Sequence, residues 1–170
     1  MGRYIAYARY VLRHQRLVRK ACLRNGMWWR GLKHDASKWR PSEFFPYARH
    51  FYNADGSKKE NKRDDTGHYS PTDTGNPEFD VAWFLHQKRN DHHWQWWCRP
   101  EDESGAVAME MSSRAAVEMV CDWWGASVAQ GGDGAIAVWY EANRHNMPLH
   151  ANTVHHLGEV IPSVAARMAE

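Results

Sequence analysis

An uninterrupted helical repeat at the start of the chain constrains the fold most. Residues 3–24 contain no proline or glycine, and their apolar side chains recur every three or four positions, as on one face of an α-helix. These side chains are Ile5, Ala8, Val11, Leu12, Val18 and Cys22. Such a helix would be roughly 30 Å long, and Asn25-Gly26 is a typical helix end. The chain therefore begins with a long helix that has one face to bury.

Helical patterns dominate the rest of the sequence as well. We expect a short helix at 28–39, a turn or two of helix from 41 to Pro46, and longer helices at 79–97, 107–130, 134–146 and 151–168. The last would be interrupted near Pro162. No segment shows the alternation of a half-buried strand. The sequence thus predicts an all-α fold, a single-domain helical bundle of about five to seven helices over residues 1–170.

One long polar segment separates these patterns. Residues 53–78 are rich in Gly, Asp and Lys and nearly free of aliphatic side chains. Because ordinary connections are much shorter, we expect this segment to be either mobile or a lid. The sequence leaves open whether it closes over a site.

Composition argues against several classes of protein. The chain has no run of 18 apolar residues, and its N-terminal helix carries arginines throughout. We therefore expect neither a membrane span nor a cleavable secretory signal, and no membrane partner. The three cysteines, Cys22, Cys98 and Cys121, form no CxxC pair, so a disulfide framework and a cysteine zinc site are not expected either. A reducing cytoplasm is the simplest setting.

Charge is divided unevenly along the chain. Residues 1–40 contain 11 Lys and Arg but a single acid, Asp35, for a net charge of +10, whereas residues 41–170 carry −8. One interpretation is a basic helix that packs against an acidic remainder. The other is a positive rim that attracts phosphates, on a nucleotide or on a nucleic acid.

The strongest local feature is the dipeptide His34-Asp35, which is followed by Lys38. A neutral imidazole beside a carboxylate offers two metal ligands of different hardness. Neighbouring residues on a helix point about 100° apart, so other helices would have to complete the ligand set. His14 is one candidate, because its neighbours on the first helix place it toward the core. The alternative is a buried histidine that bonds to a backbone carbonyl.

Further histidines lie in the tract FLHQKRNDHHWQWW. His86, Asn90 and His93 are four and three residues apart, so they would share one face of the helix expected at 79–97. His92 would point well away from that face, so we expect it to lie at the rim of the site or to support the ligands from behind. The alternative is an aromatic and polar helix whose histidines only decorate the surface.

The last candidate metal ligand is a carboxylate in the C-terminal third of the sequence. Asp122 lies in a small, apolar helical stretch, where a buried carboxylate without a partner would be costly. A metal, or a histidine bound to one, would be such a partner, and Glu118 one turn earlier could support the ligands. The alternative is an Asp exposed to solvent at the helix edge.

These residues, in this order, resemble the HD-domain superfamily of metal-dependent proteins, which are all-α. The resemblance implies a divalent-metal site whose ligands would be His14, His34, Asp35, His86, His93 (or His92) and Asp122. The tract His34-Asp35-x-x-Lys38 is similar to the form in phosphodiesterase-type members, where the lysine helps to orient phosphate or water. The set HDxSKW, RNxHHWQWW and DWWGAS is also similar to an uncharacterised family of small bacterial and phage proteins.

Departures from the HD pattern leave the number of metal ions open. The spacing of His86 and His93 is shorter than in two-metal members, a GYP signature is missing, and Lys38 stands where deoxynucleotidase-like members carry an acid. The minimal site holds one ion between the early histidines, Asp35 and Asp122. The extended site adds a second ion, bridged by Asp35 and held by His86 and His93. The ions could be Mn, Fe, Co, Mg or Zn.

The resemblance implies a metal-dependent phosphohydrolase that acts on a nucleotide or another small phosphoester through metal-activated water, in a bacterium or a phage-infected host. Asp35 and Lys38 would be catalytic, and the substrate would contact Lys33, Arg89, Asn90 and Trp94. Two other interpretations remain. One is an HD-type di-iron oxygenase with the same ligands. The other is a non-enzymatic helical module that binds nucleic acid, through residues 1–40, or protein, with the His-Asp pair purely structural.

Overall fold

Helices form nearly all of the regular structure in this computed structural model, which describes residues 2–60, 74–103 and 105–170. Within these residues lie seven α-helices: α1 (Arg3–Arg24), α2 (Trp28–Lys33), α3 (Pro41–Phe51), α4 (Pro77–Arg89), α5 (Ser113–Ala129), α6 (Ile136–Asn143) and α7 (Ala151–Ala169). Short 3-10 turns cover Ala36–Trp39, Trp94–Trp97 and Arg144–Asn146. Strands β1 (Cys98–Glu101) and β2 (Gly105–Ala108) form an antiparallel hairpin. The predicted single-domain, all-α fold is confirmed.

Helix α1 is shared by two apolar clusters. Its C-terminal half, including Val18, packs against side chains of α5, α6 and α7. Its N-terminal half, including Tyr7 and Val11, packs against α3 and α4. His14 lies between these two sets on the same buried face and is only 2% exposed. The junction of the two clusters therefore holds a titratable side chain, in the interior of the protein.

A glycine allows α5 to approach α1 closely. A Cβ atom at Gly125 would lie 2.5 Å from Val18 Cγ2 and 3.1 Å from the Val18 backbone nitrogen. Side chains one turn away on each helix, His14 and Asp122, come within 3.2 Å of each other. The small residue at position 125 thus sets the helix separation that brings a histidine and a carboxylate together.

The segment between α4 and α5 differs most from the sequence prediction. The helix predicted at 79–97 ends at Arg89, because Asn90 leaves the helical conformation and its amide donates to the His86 carbonyl (2.8 Å). The helix predicted at 107–130 begins only at Ser113, where the Ser112 hydroxyl accepts from a backbone N–H as an N-cap. Between them lies the hairpin β1–β2, which the sequence analysis did not predict.

Other boundaries differ in smaller ways. The helix predicted at 28–39 is split at Asp35, whereas α3 and α7 continue through Pro46 and Pro162. Half of the long polar segment predicted as mobile or a lid, residues 61–73, lies outside the described residues. Among the helices that are described, none is long and apolar enough to span a bilayer.

Candidate metal centre

Asp35 stands at the centre of the site in an unusual backbone conformation. Its φ is 54°, the only positive value at a non-glycine among the described residues. Such a conformation persists only where the surroundings enforce it, and it clusters at functional sites. Here the Gln15 amide donates to the carbonyls of both His34 and Asp35, at 3.0 and 3.2 Å. The resulting turn directs two consecutive side chains inward, and both are buried.

One carboxylate oxygen of Asp35 faces a first group of potential ligands. Asp35 Oδ2 lies 3.2 Å from His14 Nε2 and 3.5 Å from His34 Nε2. Asp122 Oδ1 lies at the same two distances from these nitrogens, and the nitrogens themselves are 3.3 Å apart. Four ligand atoms from α1, α5 and the turn after α2 therefore surround one point.

The other carboxylate oxygen of Asp35 faces a second group. Asp35 Oδ1 lies 3.3 Å from His86 Nε2 and 3.4 Å from His92 Nε2, and His93 belongs to the same cluster. Each of these three imidazoles has an Nε2 that is buried without a hydrogen-bond partner, as is Asp35 Oδ1. Buried polar atoms are rarely left unpaired, and a bound ion is one of the accepted explanations.

The distances within both groups suit a cation. Ions that bind nitrogen and oxygen at about 2.1 Å hold neighbouring ligand atoms about 3.0 Å apart in an octahedral shell and about 3.4 Å apart in a tetrahedral one. The separations around Asp35 fall in or close to this range, from 3.2 to 3.5 Å. These buried histidine and aspartate clusters can therefore bind metal, and Asp35 is common to both.

Buried carboxylates behind the histidines fix the orientation of the rings. His34 and His92 donate through Nδ1 to Glu118, at 2.9 and 3.3 Å. His86 donates through Nδ1 to Glu43, at 2.9 Å. In each ring the Nε2 lone pair is thereby left facing Asp35, which is the arrangement found behind metal-bound histidines.

Two arginines hold these supporting carboxylates in turn. Arg30 of α2 pairs with both Glu118 and Asp91. Arg89 of α4 pairs with Glu43 at 2.6 Å. The supporting carboxylates are thus held from outside by arginines, while burial lowers the pKa of His34 and His92 but the carboxylates around these two rings raise it above the ordinary value.

The electrostatics of the cluster favour anionic carboxylates and neutral histidines at specific positions. Burial alone would raise the pKa of Asp35, but Lys38 and the neighbouring histidines hold it well below its usual range. Burial works the same way on Glu118, where hydrogen bonds from His34 and His92 lower the pKa to about 2. Burial, reinforced by the adjacent histidines, holds the pKa of His93 well below its ordinary value. The second group therefore contains a neutral imidazole, His93, whose lone pair can bind a metal.

Solvent reaches the first group at Lys38 and Asp122, and the second group at the half-buried His93. Lys38 Nζ lies 2.6 Å from Asp35 Oδ2, and the Lys38 side chain is 13% exposed. The Asp122 side chain is 14% exposed, whereas those of His14, His34 and Asp35 are at most 3% exposed. A small molecule that approached the first group would therefore meet a lysine and a carboxylate first.

The structure does not support the helix-face argument that predicts His93 as a ligand and His92 as a more distant residue. His93 is not on the helix face predicted to carry it, because α4 ends before Asn90. His92, which was expected to point away, is buried at 2% exposure and faces Asp35. The structure therefore places both His92 and His93 in the cluster, rather than one of them.

The four residues expected to contact substrate have other contacts. Lys33 is exposed and lies 4.4 Å over a neighbouring indole ring, and Trp94 packs against the larger apolar cluster. Arg89 pairs with Glu43, and Asn90 donates to Ser37 Oγ (2.8 Å) in addition to capping α4. Each of the four therefore has a contact within the protein, and their predicted contact with substrate stays a prediction.

Glu43 was missed altogether by the sequence analysis. It is fully buried on α3, where Ser37 also donates to it at 2.9 Å. A glutamate in the first turn after a proline is a common helix start, so nothing local marks it as part of a site. Only its contact with His86, 43 positions away in the sequence, shows its role.

Comparisons with known proteins place the chain in a family without assigning an activity. No curated protein and no solved structure matches it. The one family found is described as a family of unknown function, DUF5662, and nothing found links it to the HD-domain superfamily. The match covers residues 3–163, which is nearly the whole sequence, and the chain therefore belongs to the DUF5662 family.

Proposed function

We propose that the two clusters around Asp35 form a dinuclear metal site of a phosphohydrolase that acts on a nucleotide or another small phosphoester. The observation that carries this proposal is the division of the Asp35 carboxylate, since Oδ2 faces one ligand group and Oδ1 faces the other. A carboxylate shared in this way holds two cations close together. Paired cations a few ångströms apart recur in phosphatases and nucleases.

The composition of the ligand groups narrows the choice of metal. The second group offers three imidazoles and one carboxylate, and the first offers two of each. Imidazole suits Zn, Fe, Co and, less strongly, Mn, whereas Mg prefers oxygen ligands and retained water. We therefore expect a transition metal in the second group in particular.

The residues around the clusters have defined tasks in such a reaction. A bound divalent ion would polarise a phosphoryl oxygen and make a bound water more acidic. Lys38, where solvent reaches the first group, would neutralise negative charge on the phosphoryl group. Glu118 and Glu43 would keep the histidine rings oriented during turnover.

The experiment is metal analysis of the purified protein, followed by a panel of phosphomonoesters and phosphodiesters assayed with Mn, Fe, Co, Zn and Mg. We expect about two transition-metal ions per chain and phosphate release that a chelator abolishes. His155→Ala, at an exposed histidine of α7, is the control for nonspecific binding by histidine. A protein that binds no metal, or that binds it equally well without Asp35, would contradict the proposal.

The same ligands are also compatible with a second activity, that of an iron-dependent oxygenase. The observation that favours it is the excess of imidazole in the second group, a ligand well suited to iron. Substrate-dependent oxygen consumption by the iron-loaded protein, without phosphate release, would assign the site to this class. We place either activity in the cytoplasm, in keeping with three cysteines that are all free thiols.

A further inference from the structure

The outer face of α1 carries a stripe of apolar and arginine side chains. Ile5, Leu12, Arg16, Arg19 and Leu23 follow one another at steps of seven, four, three and four residues, so they lie on one side of the helix. All five are exposed. The stripe is about 27 Å long and lies opposite His14 and Val18, which face the interior. The helix is thus amphipathic, but its outer side is not simply polar.

Helix α2 extends this surface. Gly31 packs directly on α1, since a Cβ there would lie 2.7 Å from Cys22 Cβ and 3.2 Å from Arg19 Cα. With its small residue turned toward α1, α2 exposes Trp28 and Leu32 at 58% and 47%. We call these seven residues, the five of the stripe together with Trp28 and Leu32, the cationic face.

The segment of chain that forms this surface contributes no exposed carboxylate of its own. Among the first 45 residues the acids are Asp35 and Glu43, and both are buried in the metal cluster. Arg30 and Lys38 point inward to carboxylates. The other nine Lys and Arg residues of this segment, which include Arg16 and Arg19 of the cationic face, form no ion pair with a described residue. The cationic face is therefore complementary in charge to an anionic partner.

The partner must also accept apolar groups. A second copy of the chain, packed symmetrically on the same face, would place arginine against arginine. A nucleic acid would satisfy the arginines but offers little to Ile5, Leu12, Leu23 and Leu32, and Lys33 already covers the ring of the exposed Trp29. An anionic lipid surface satisfies both, because aliphatic and indole groups enter the interface while arginines remain among the phosphates.

We propose that the cationic face docks the protein on the surface of an anionic phospholipid bilayer. The expectation of no membrane partner rested on the absence of a spanning segment, which surface docking does not need. The exposure of these side chains, which the sequence does not show, changes that expectation. The proposal is independent of the metal site, since all seven residues of the cationic face are exposed whereas the candidate ligands of both groups are buried or half-buried.

The test is flotation of the full-length protein with vesicles of phosphatidylcholine, alone or mixed with phosphatidylglycerol. We expect binding to the mixed vesicles only, decreasing as salt is added. The double variant R16Q/R19Q should lower the partition coefficient roughly 30-fold, because each basic residue contributes about a factor of five near such a surface. The double variant W28A/L32A should weaken binding in a way that salt does not alter.

Matched controls use residues of similar exposure elsewhere. Phe84 and Val138 are exposed apolar residues on α4 and α6, and Arg99 and Arg144 are exposed arginines. The variants F84A/V138A and R99Q/R144Q should bind vesicles as the wild type does. If the control variants reduced vesicle binding as much as the test variants do, the proposal would be overturned. The proposal would also be overturned if the protein did not bind the mixed vesicles, or if it bound a single-stranded oligonucleotide instead of them.

Discussion

Replacement of Asp35 by Asn tests whether one carboxylate holds both ions. Asparagine keeps the shape of the side chain and tolerates the left-handed backbone at this position, where φ is 54°. Alanine there would add about 1–2 kcal/mol of backbone strain and confuse the result. The amide removes the negative charge that lies 3.2–3.4 Å from ring nitrogens of three histidines. We therefore expect Asp35→Asn to lose metal from both groups, not from one.

The size of the effect follows from linkage between binding and folding. Metal at about 100 times its dissociation constant adds about 2.7 kcal/mol to the free energy of unfolding. For a chain of this length each kcal/mol raises Tm by about 2–4 °C. Wild-type protein, which would bind two such ions, should therefore gain roughly 10–20 °C when metal is added, and Asp35→Asn should gain almost nothing.

The assay is thermal unfolding with and without metal, paired with metal analysis. Each protein is compared with its own metal-free form, because loss of the Asp35 charge also removes the carboxylate partner of Lys38. Asp102→Asn, at an exposed aspartate in the hairpin turn, is the control and should respond as the wild type does. If Asp35→Asn kept its metal content and its full rise in Tm, the bridging assignment would be refuted.

Three further outcomes follow from the same geometry. Glu118→Gln should weaken metal binding about 10- to 100-fold, measured by calorimetry, because the amide no longer fixes the rings behind the ligands. Gly125→Ala should lower the free energy of unfolding by about 1–3 kcal/mol in urea titration, since the new methyl group would press on Val18. Lys38→Met should keep its metal but lose about 100-fold or more in kcat toward a phosphoester, because the cation beside Asp35 is gone.

Residues on continuous helices could be placed from the sequence. His14 and Asp122 lie on α1 and α5, where the three- and four-residue periodicity is long enough to show which side chains face inward. The proximity of His34 and Asp35 needed no periodicity at all. The structure brings these four residues together, although the left-handed backbone at Asp35, which splits the helix predicted at 28–39, was not predicted.

The histidines after α4 could not be placed in this way. The end of the helix is set by Asn90, whose amide bonds to the His86 carbonyl and to Ser37 across 53 positions of sequence. Without that contact in view, the periodicity can be continued past Arg89, and it then selects His93 over His92. Inference from a helical face depends on where the helix ends, which here is decided by tertiary structure.

The contacts of the carboxylates explain why ion pairs do not balance the uneven charge of the sequence. Had the basic N-terminal segment packed against an acidic remainder, its arginines would pair with carboxylates of later helices. Among the described residues only Arg30 does so, with Asp91 and Glu118. Asp35, the one acid of residues 1–40, is buried among histidines and Lys38. Most of the positive charge of residues 1–40 therefore has no ion-pair partner among the described residues, and the one acid of this segment is held at the candidate metal centre.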